Sequence, residues 1–223
     1  KAVEPPGQAR ADWQILVDLI RACGYPTPDY QTPGEVWAEM SAQSPRFVGI
    51  SHDRLDRDGG LQWPCPTLEH PGTPTLHVDK PMRGKVLLRG VEYRASVEPT
   101  DDAYPLVLST GRVLYHYNAA NQTMREKGAA LKVPNNFIEM HRYDAKKLGV
   151  RDGERVRVAS RRGEIVVHAM VSPRMKPGIV WMPLHNFGDA ANRVNLLTID
   201  QGDPVTGTPE YKVCAVRIER VGS

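Results

Sequence analysis

Beyond residue 104 the chain is interrupted by turn chemistry about every 8–12 residues, and between interruptions come short apolar segments, the clearest of which alternate apolar with charged side chains. In residues 154–159 Val156 and Val158 alternate with Arg155 and Arg157, and an Arg161-Arg162-Gly163 turn leads into 164–171, where Ile165, Val167, Ala169 and Val171 share a face. A period of two commits each segment to a strand with one buried side, because successive side chains leave a strand in opposite directions. Residues 105–109, 179–182 and 211–221 read as further strands, and a short helix at 144–148 is stopped by Gly149. Short strands with one short helix predict a closed β-barrel of about 120 residues, with a sandwich as the alternative.

The first half reads differently. Asp12 is placed to cap a helix over 13–23 whose apolar positions 13, 16, 17 and 20 share a face, and Gly24 ends it. Thr32-Pro33-Gly34-Glu35 is a capping box with Pro at the first helical position, opening a helix to about 43. From 44 to 105 no periodicity survives, and Asp58-Gly59-Gly60, Trp63-Pro64-Cys65-Pro66 and Pro71-Gly72-Thr73-Pro74 are turns. So long an irregular stretch suits a segment that drapes over a neighbour, partly ordered without it. The expected division is therefore a partly helical, loop-rich arm over 1–103 and a barrel over 104–223.

Composition narrows the function classes. At 40% apolar residues the chain can build a core, and no apolar run reaches the ~20 residues of a membrane-spanning helix. Its 29 basic and 26 acidic side chains give too small a balance to argue for nucleic acid. The charge is uneven, about −2 over residues 1–100 and +5 over 101–223, so an anionic ligand would favour the second half. Cys23, Cys65 and Cys214 show no C-x-x-C or C-x-x-H spacing, which argues against a disulfide framework, a zinc site or an iron–sulfur site. G-x-S-x-G, Walker A and G-x-G-x-x-G are absent, leaving hydrolases and ordinary nucleotide folds without support. The chain begins with Lys1, which is read as a piece of something longer.

Three loops at strand ends carry the remaining polar chemistry. Ser109-Thr110-Gly111-Arg112 continues to His116 and Asn118; His185 to Asn195 is rich in amides; Pro209-Glu210-Tyr211-Lys212 steps into the last strand. Gly111 permits close approach of the backbone, and Arg112 offers a fork of donors. Each also has a plain structural explanation: a turn with a surface Arg, a packed histidine, a barrel tyrosine with a wet hydroxyl. Together they point to a polar ligand.

These residues resemble a known family. Tyr104-Pro105-Leu106-Val107-Leu108-Ser109-Thr110-Gly111-Arg112 with His116-Tyr117, Asp144-Ala145-Lys146-Lys147-Leu148-Gly149, Ser160-Arg161-Arg162-Gly163, Asn195-Leu196-Leu197-Thr198, Asp203-Pro204 and the run from Pro209 to Arg217 are similar to the C-terminal region of molybdopterin-dependent oxidoreductases. The detail looks most like formate dehydrogenase catalytic (alpha) subunits. Gly60-Leu61-Gln62-Trp63-Pro64-Cys65-Pro66 and His70-Pro71-Gly72-Thr73-Pro74 belong to the same pattern. The resemblance implies a mainly β fold with some α, a six-stranded double-psi β-barrel preceded by the arm. It implies that Gly111, Arg112, His116, Asn118, His185, Asn195, Tyr211 and Lys212 bind molybdopterin guanine dinucleotide, a bis form carrying Mo or W in the parent enzyme. It assigns no catalytic or metal-ligating residue to this chain, since the metal-ligating Cys or selenocysteine and the iron–sulfur cluster belong N-terminal to the matched region. The implied partners are the N-terminal remainder of the catalytic subunit, electron-transfer subunits and formate, in a cytoplasmic enzyme, with the chain alone inactive. An assimilatory nitrate reductase and a non-catalytic barrel module are the alternatives.

Overall fold

The computed structural model describes residues 3–81, 83–185 and 190–222. It separates into two units, Lys1–Gly90 and Val91–Ser223. The boundary is earlier than the expected 103/104, because the stretch after Gly90 is tied to the barrel: Glu98 takes hydrogen bonds from Arg161 and Arg162, and Tyr104 lies under the Arg161 and Arg217 guanidinium groups.

Among its described residues the first unit holds three helices, α1 (Asp12–Ala22), α2 (Pro33–Ala42) and α3 (His52–Asp58). Asp12 does not cap α1; Ala11 occupies the cap position without a side-chain bond, and Asp12 sits in the first turn, where its charge favours the helix dipole. Thr32 does cap α2, its hydroxyl accepting from Glu35 N–H at 3.3 Å, while the Glu35 carboxylate accepts from Gln31 N–H and not from Thr32. Helix α3 corrects the expectation of no regular element between 44 and 105. It is seven residues long and entirely polar apart from Leu55, so periodicity could not reveal it. Its ends are nevertheless well formed, with the Ser51 hydroxyl accepting from Arg54 N–H and left-handed Gly59 closing it.

The turns around α3 are knit together. Gly49 N–H donates to Cys65 O and Cys65 N–H to Arg46 O, both at 2.8 Å. Buried Arg54 donates to Gly49 O at 2.6 Å and His70 O at 3.0 Å, replacing a regular ladder with one side chain that reaches two carbonyls.

The second unit is a closed barrel of β1 (Leu106–Gly111), β2 (Phe137–Met140), β3 (Arg155–Ala159), β4 (Glu164–Val171), β5 (Ile179–Pro183) and β6 (Cys214–Arg220), in the order β1-β5-β2-β4-β3-β6. Pairs β1/β5 and β2/β4 are parallel, and the other four are antiparallel. Exchanging β1–β3 with β4–β6 leaves this ring of pairings unchanged, so two equivalent halves interlock. Alternation sends Leu106, Leu108, Val156, Val158, Ile165, Val167, Val180, Met182, Val216 and Ile218 into one core. Each such side chain contributes roughly 1.5–3 kcal/mol on burial.

Two strands depart from expectation. Phe137–Met140 went unread because its four residues carry no clean alternation; Glu139 is buried within it and accepts from Arg174 Nε at 2.9 Å. The last strand starts at Cys214, since Tyr211 and Lys212 are spent on bonds to β1. The short helix α4 (Lys127–Lys132) precedes β2, and α5 (Arg142–Leu148) begins two residues before the expected helix because the His141 ring accepts from Tyr143 N–H at 3.1 Å.

Candidate functional site

Strand β1 runs parallel to β5, pairing Ser109 with Trp181 and Gly111 with Pro183, and delivers the chain to the barrel rim at Arg112. The third loop is fastened to the same place. Thr110 Oγ donates to Tyr211 O at 3.0 Å, and Lys212 Nζ approaches Thr110 O at 3.4 Å. Two loops far apart in sequence thereby share one edge, and one ammonium donor of Lys212 is committed to that edge.

Arg112 Nε donates to Asn118 Oδ1 at 2.9 Å. Asn118 takes a left-handed backbone (φ 50°), which Asn adopts more readily than most residues, and this folds the loop back so that the amide meets the guanidinium. The bond fixes the Arg112 plane and leaves its terminal nitrogens for another acceptor. An open cleft of about 700 Å³ results, lined by Arg112, Asn118, Asn195, Thr198, Asp200 and Tyr211 among others. It brings together four of the eight expected residues, drawn from all three loops.

The other four lie differently. Gly111 is needed for the close approach of a protein ring: a Cβ there would stand 2.8 Å from Trp181 Nε1. Lys212 borders the cleft through the Thr110 contact. His116 and His185 are buried, with ring centroids 4.6 Å apart. His116 uses both nitrogens within the protein, on Thr123 Oγ at 3.0 Å and Val133 O at 2.7 Å. His185 Nε2 reaches Asn135 O at 3.2 Å, while Nδ1 is buried without a partner among the described residues. Burial holds the His185 pKa below the ordinary value, outweighing the Asn135 bond, and the nearby His116 pushes the same way. The pair ties the loop after β1 to the one after β5. Residues 186–189 of that second loop lie outside the described residues.

Thr198, Asp200 and Pro209 join the cleft without having been singled out. Thr198 and Pro209 lie within motifs quoted above, so a signal existed. Asp200 had none, because the turn closed by the Gly202 and Pro209 bridge is visible only in three dimensions. A larger hollow of about 900 Å³ on the other side of Arg112, bounded by Lys132, Phe137, Arg174 and Trp181, contains none of the other expected residues. Among the described residues no group of three or more His, Cys, Asp or Glu could hold a metal ion, and no helix is long and apolar enough to cross a membrane.

Known proteins resemble the chain over nearly its whole length. The family model for the molydopterin dinucleotide binding domain matches residues 106–215. The chain is 40% identical to the F420-dependent formate dehydrogenase 1 subunit alpha of Methanococcus maripaludis over 99% of its own length and 33% of that protein's. It is 37% identical to the assimilatory nitrate reductase catalytic subunit of Bacillus subtilis, over 96% of the chain and 31% of the relative. It thus spans about a third of the relatives it matches. Among solved structures, acetylene hydratase from Pelobacter acetylenicus superposes with a TM-score of 0.61 at 15% identity, covering 98% of the chain and 34% of that structure, a likeness of fold alone. The barrel is the expected six-stranded double-psi fold, and residues 106–215 belong to the molydopterin dinucleotide binding domain family, within a region that the chain shares with formate dehydrogenase alpha subunits.

Proposed function

We propose that this chain is the cofactor-binding portion of a formate dehydrogenase and that its cleft takes molybdopterin guanine dinucleotide, in the bis form with Mo or W in the parent. The observation that carries the reading is the convergence of Arg112, Asn118, Asn195 and Tyr211 from three loops on one open cleft. The donor set fits the group. An oriented guanidinium matches a pyrophosphate, amides match pterin and purine edges, and the Asp200 carboxylate suits paired N–H donors such as those of guanine. When bound, the cofactor supplies the two-electron redox chemistry by which the parent oxidises formate to carbon dioxide. The chain's own part is to bind and orient: Arg112, held by Asn118, neutralises phosphate charge, and the Asn195 amide sets the plane of a ring.

The iron–sulfur cluster and the metal ligand belong, in this reading, to the N-terminal remainder of a cytoplasmic catalytic subunit that passes electrons to further subunits. The exposed apolar residues Ile15, Leu16, Leu19 and Ile20 of α1 support such a covering remainder. Greater identity to the F420-dependent formate dehydrogenase alpha subunit than to the assimilatory nitrate reductase of Bacillus subtilis, 40% against 37%, favours formate as substrate.

Titration of the chain with molybdopterin guanine dinucleotide tests the reading. Arg112→Ala is expected to weaken binding about tenfold or more, the worth of one charge-assisted hydrogen bond, and Lys212→Ala to weaken it less. Absence of binding by both the chain and the reconstituted parent would favour a non-catalytic barrel. A parent that reduces nitrate and leaves formate untouched would assign the same cleft to a nitrate reductase.

A further inference from the structure

The Ser160-Arg161-Arg162-Gly163 turn lines none of the clefts described above, yet its second arginine makes four hydrogen bonds within the protein. Arg162 Nη1 and Nη2 donate to the two oxygens of Glu98 at 3.0 and 2.8 Å, and its Nε and Nη2 donate to Leu197 O at 3.0 and 2.9 Å. Four of its five N–H donors are thereby committed inside the protein, so the Arg162 fork holds protein groups together. Its partners, however, connect to the cleft's walls without lining the cleft themselves. Leu197 is two residues beyond Asn195 and precedes Thr198, and both of these line the cleft.

Glu98 reaches the other wall. Only 7% exposed, it also accepts from Arg161 Nη1 at 2.7 Å and from Ala215 N–H at 3.3 Å. Ala215 lies in β6, just after Tyr211 and Lys212. A second link runs directly between the walls, from Ile199 N–H to Cys214 Sγ at 3.4 Å. Close packing of the turn is a further observation: a Cβ on Gly163 would stand 3.0 Å from Leu196 O. Residues 195–200 have no strand or α-helix of their own beyond one short turn at Val194–Leu196, so side chains must supply the fixing that a ladder would otherwise provide.

We propose that Glu98 and Arg162 are positioning residues that hold the Asn195 wall and the Tyr211–Lys212 wall of the cleft at the spacing its ligand needs. The inference rests on the reading of that cleft as the dinucleotide site. One buried carboxylate and one guanidinium fork join the segment before β1, the β3–β4 turn, the start of β6 and the Asn195 loop. Glu98→Ala should therefore release both walls, whereas Arg162→Lys should release only one. A lysine keeps the charge opposite Glu98, but a single ammonium lacks the planar fork that spans Glu98 and Leu197 O together.

Amide exchange resolved by residue on the 223-residue chain reads this directly. In Arg162→Lys the Leu197 and Ile199 amides should exchange at least tenfold faster while Ala215 and the amides of β4 stay slow. In Glu98→Ala all three should accelerate with β4 still protected. Dinucleotide affinity should fall at least fivefold in Arg162→Lys, and adding Asn195→Ala should then cost much less than it does in the native chain. Slow Leu197 and Ile199 amides in Arg162→Lys would overturn the proposal, and so would native affinity despite loosened walls. Should the native chain bind no dinucleotide, the reading of the cleft fails while the exchange result still decides whether the pair holds the walls.

Discussion

Replacing Gly111 with Ala probes the point where β1 leaves the barrel and the candidate site begins. A methyl on Gly111 would stand 2.8 Å from Trp181 Nε1, 3.0 Å from Cζ2 and 3.2 Å from Cε2. Non-bonded heavy atoms are at ease at about 3.5–4.0 Å, so the indole must retreat by up to about 1 Å. Its retreat is resisted by Phe137, whose ring centroid lies 5.8 Å away, and by the strand that carries it. Trp181 is half-buried and can yield in part, which puts the cost at about 1–3 kcal/mol, the range for overpacking. For a barrel unit of this size that is a fall in Tm of roughly 3–10 °C. Thermal unfolding followed by near-UV circular dichroism, where the moved indole also reports, measures it. The decisive comparison is with Trp181→Phe, which withdraws the atoms the methyl would meet. Gly111→Ala should cost at least about 1 kcal/mol less in that background, as expected for residues in contact. An equal cost in both backgrounds, or none in the native one, would refute the steric argument.

Acid should weaken the barrel in two steps. His185 is held neutral by burial, so the unfolded chain binds its proton first; stability is full at neutral pH and falls as pH drops below about 6.5, and His185→Gln should flatten the change in urea midpoint between pH 7.5 and 5. Burial alone would raise the Glu98 pKa, but hydrogen bonds from Arg162, Arg161 and the Ala215 amide outweigh it and hold the group below its ordinary value; its contribution persists to lower pH and is lost as pH falls through the folded value, a second decline that Glu98→Gln should remove. In the first unit, a Cβ on Gly49 would lie 2.0 Å from Thr67 O and 2.7 Å from Cys65 Sγ, so Gly49→Ala should open the turns around α3 at a cost above about 3 kcal/mol. Limited proteolysis should then cut between residues 44 and 74 while the barrel core stays intact, and an unchanged digestion pattern would count against that packing.

Where local chemistry and global packing agree, the sequence was a sufficient guide. The alternation of Val156 and Val158 with arginines, and the period-two burial of Ile165, Val167 and Ala169, specify β3 and β4 because a one-residue slip would turn these buried side chains outward. Thr32 and Pro33 likewise specify the start of α2 through bonds only a few residues long. Strand β2 failed this test, since Glu139 is tolerated inside only because Arg174 reaches it from a distant turn. Helix α3 failed it because its stability comes from Arg54 reaching Gly49 and His70 and not from an apolar stripe.

For the site, residue type and position near strand ends singled out the three loops that carry Arg112, Asn118, Asn195 and Tyr211, and the motifs in them were enough to name the family. Which of the candidates face one another was settled by tertiary structure. His116 and His185 look like ligand-facing donors in the sequence, yet the fold packs their rings together, spends both His116 nitrogens and His185 Nε2 on the protein, and buries His185 Nδ1. Gly111 looks like room for a ligand, and the fold fills that room with Trp181. Glu98 and Arg162 look like surface charges in an irregular stretch and a turn, and the fold buries the carboxylate and gives it the arginine. Alternation and capping are short-range and can be read along the chain. Closing the barrel joins residues a hundred positions apart, and those pairings fix the shape of the cleft.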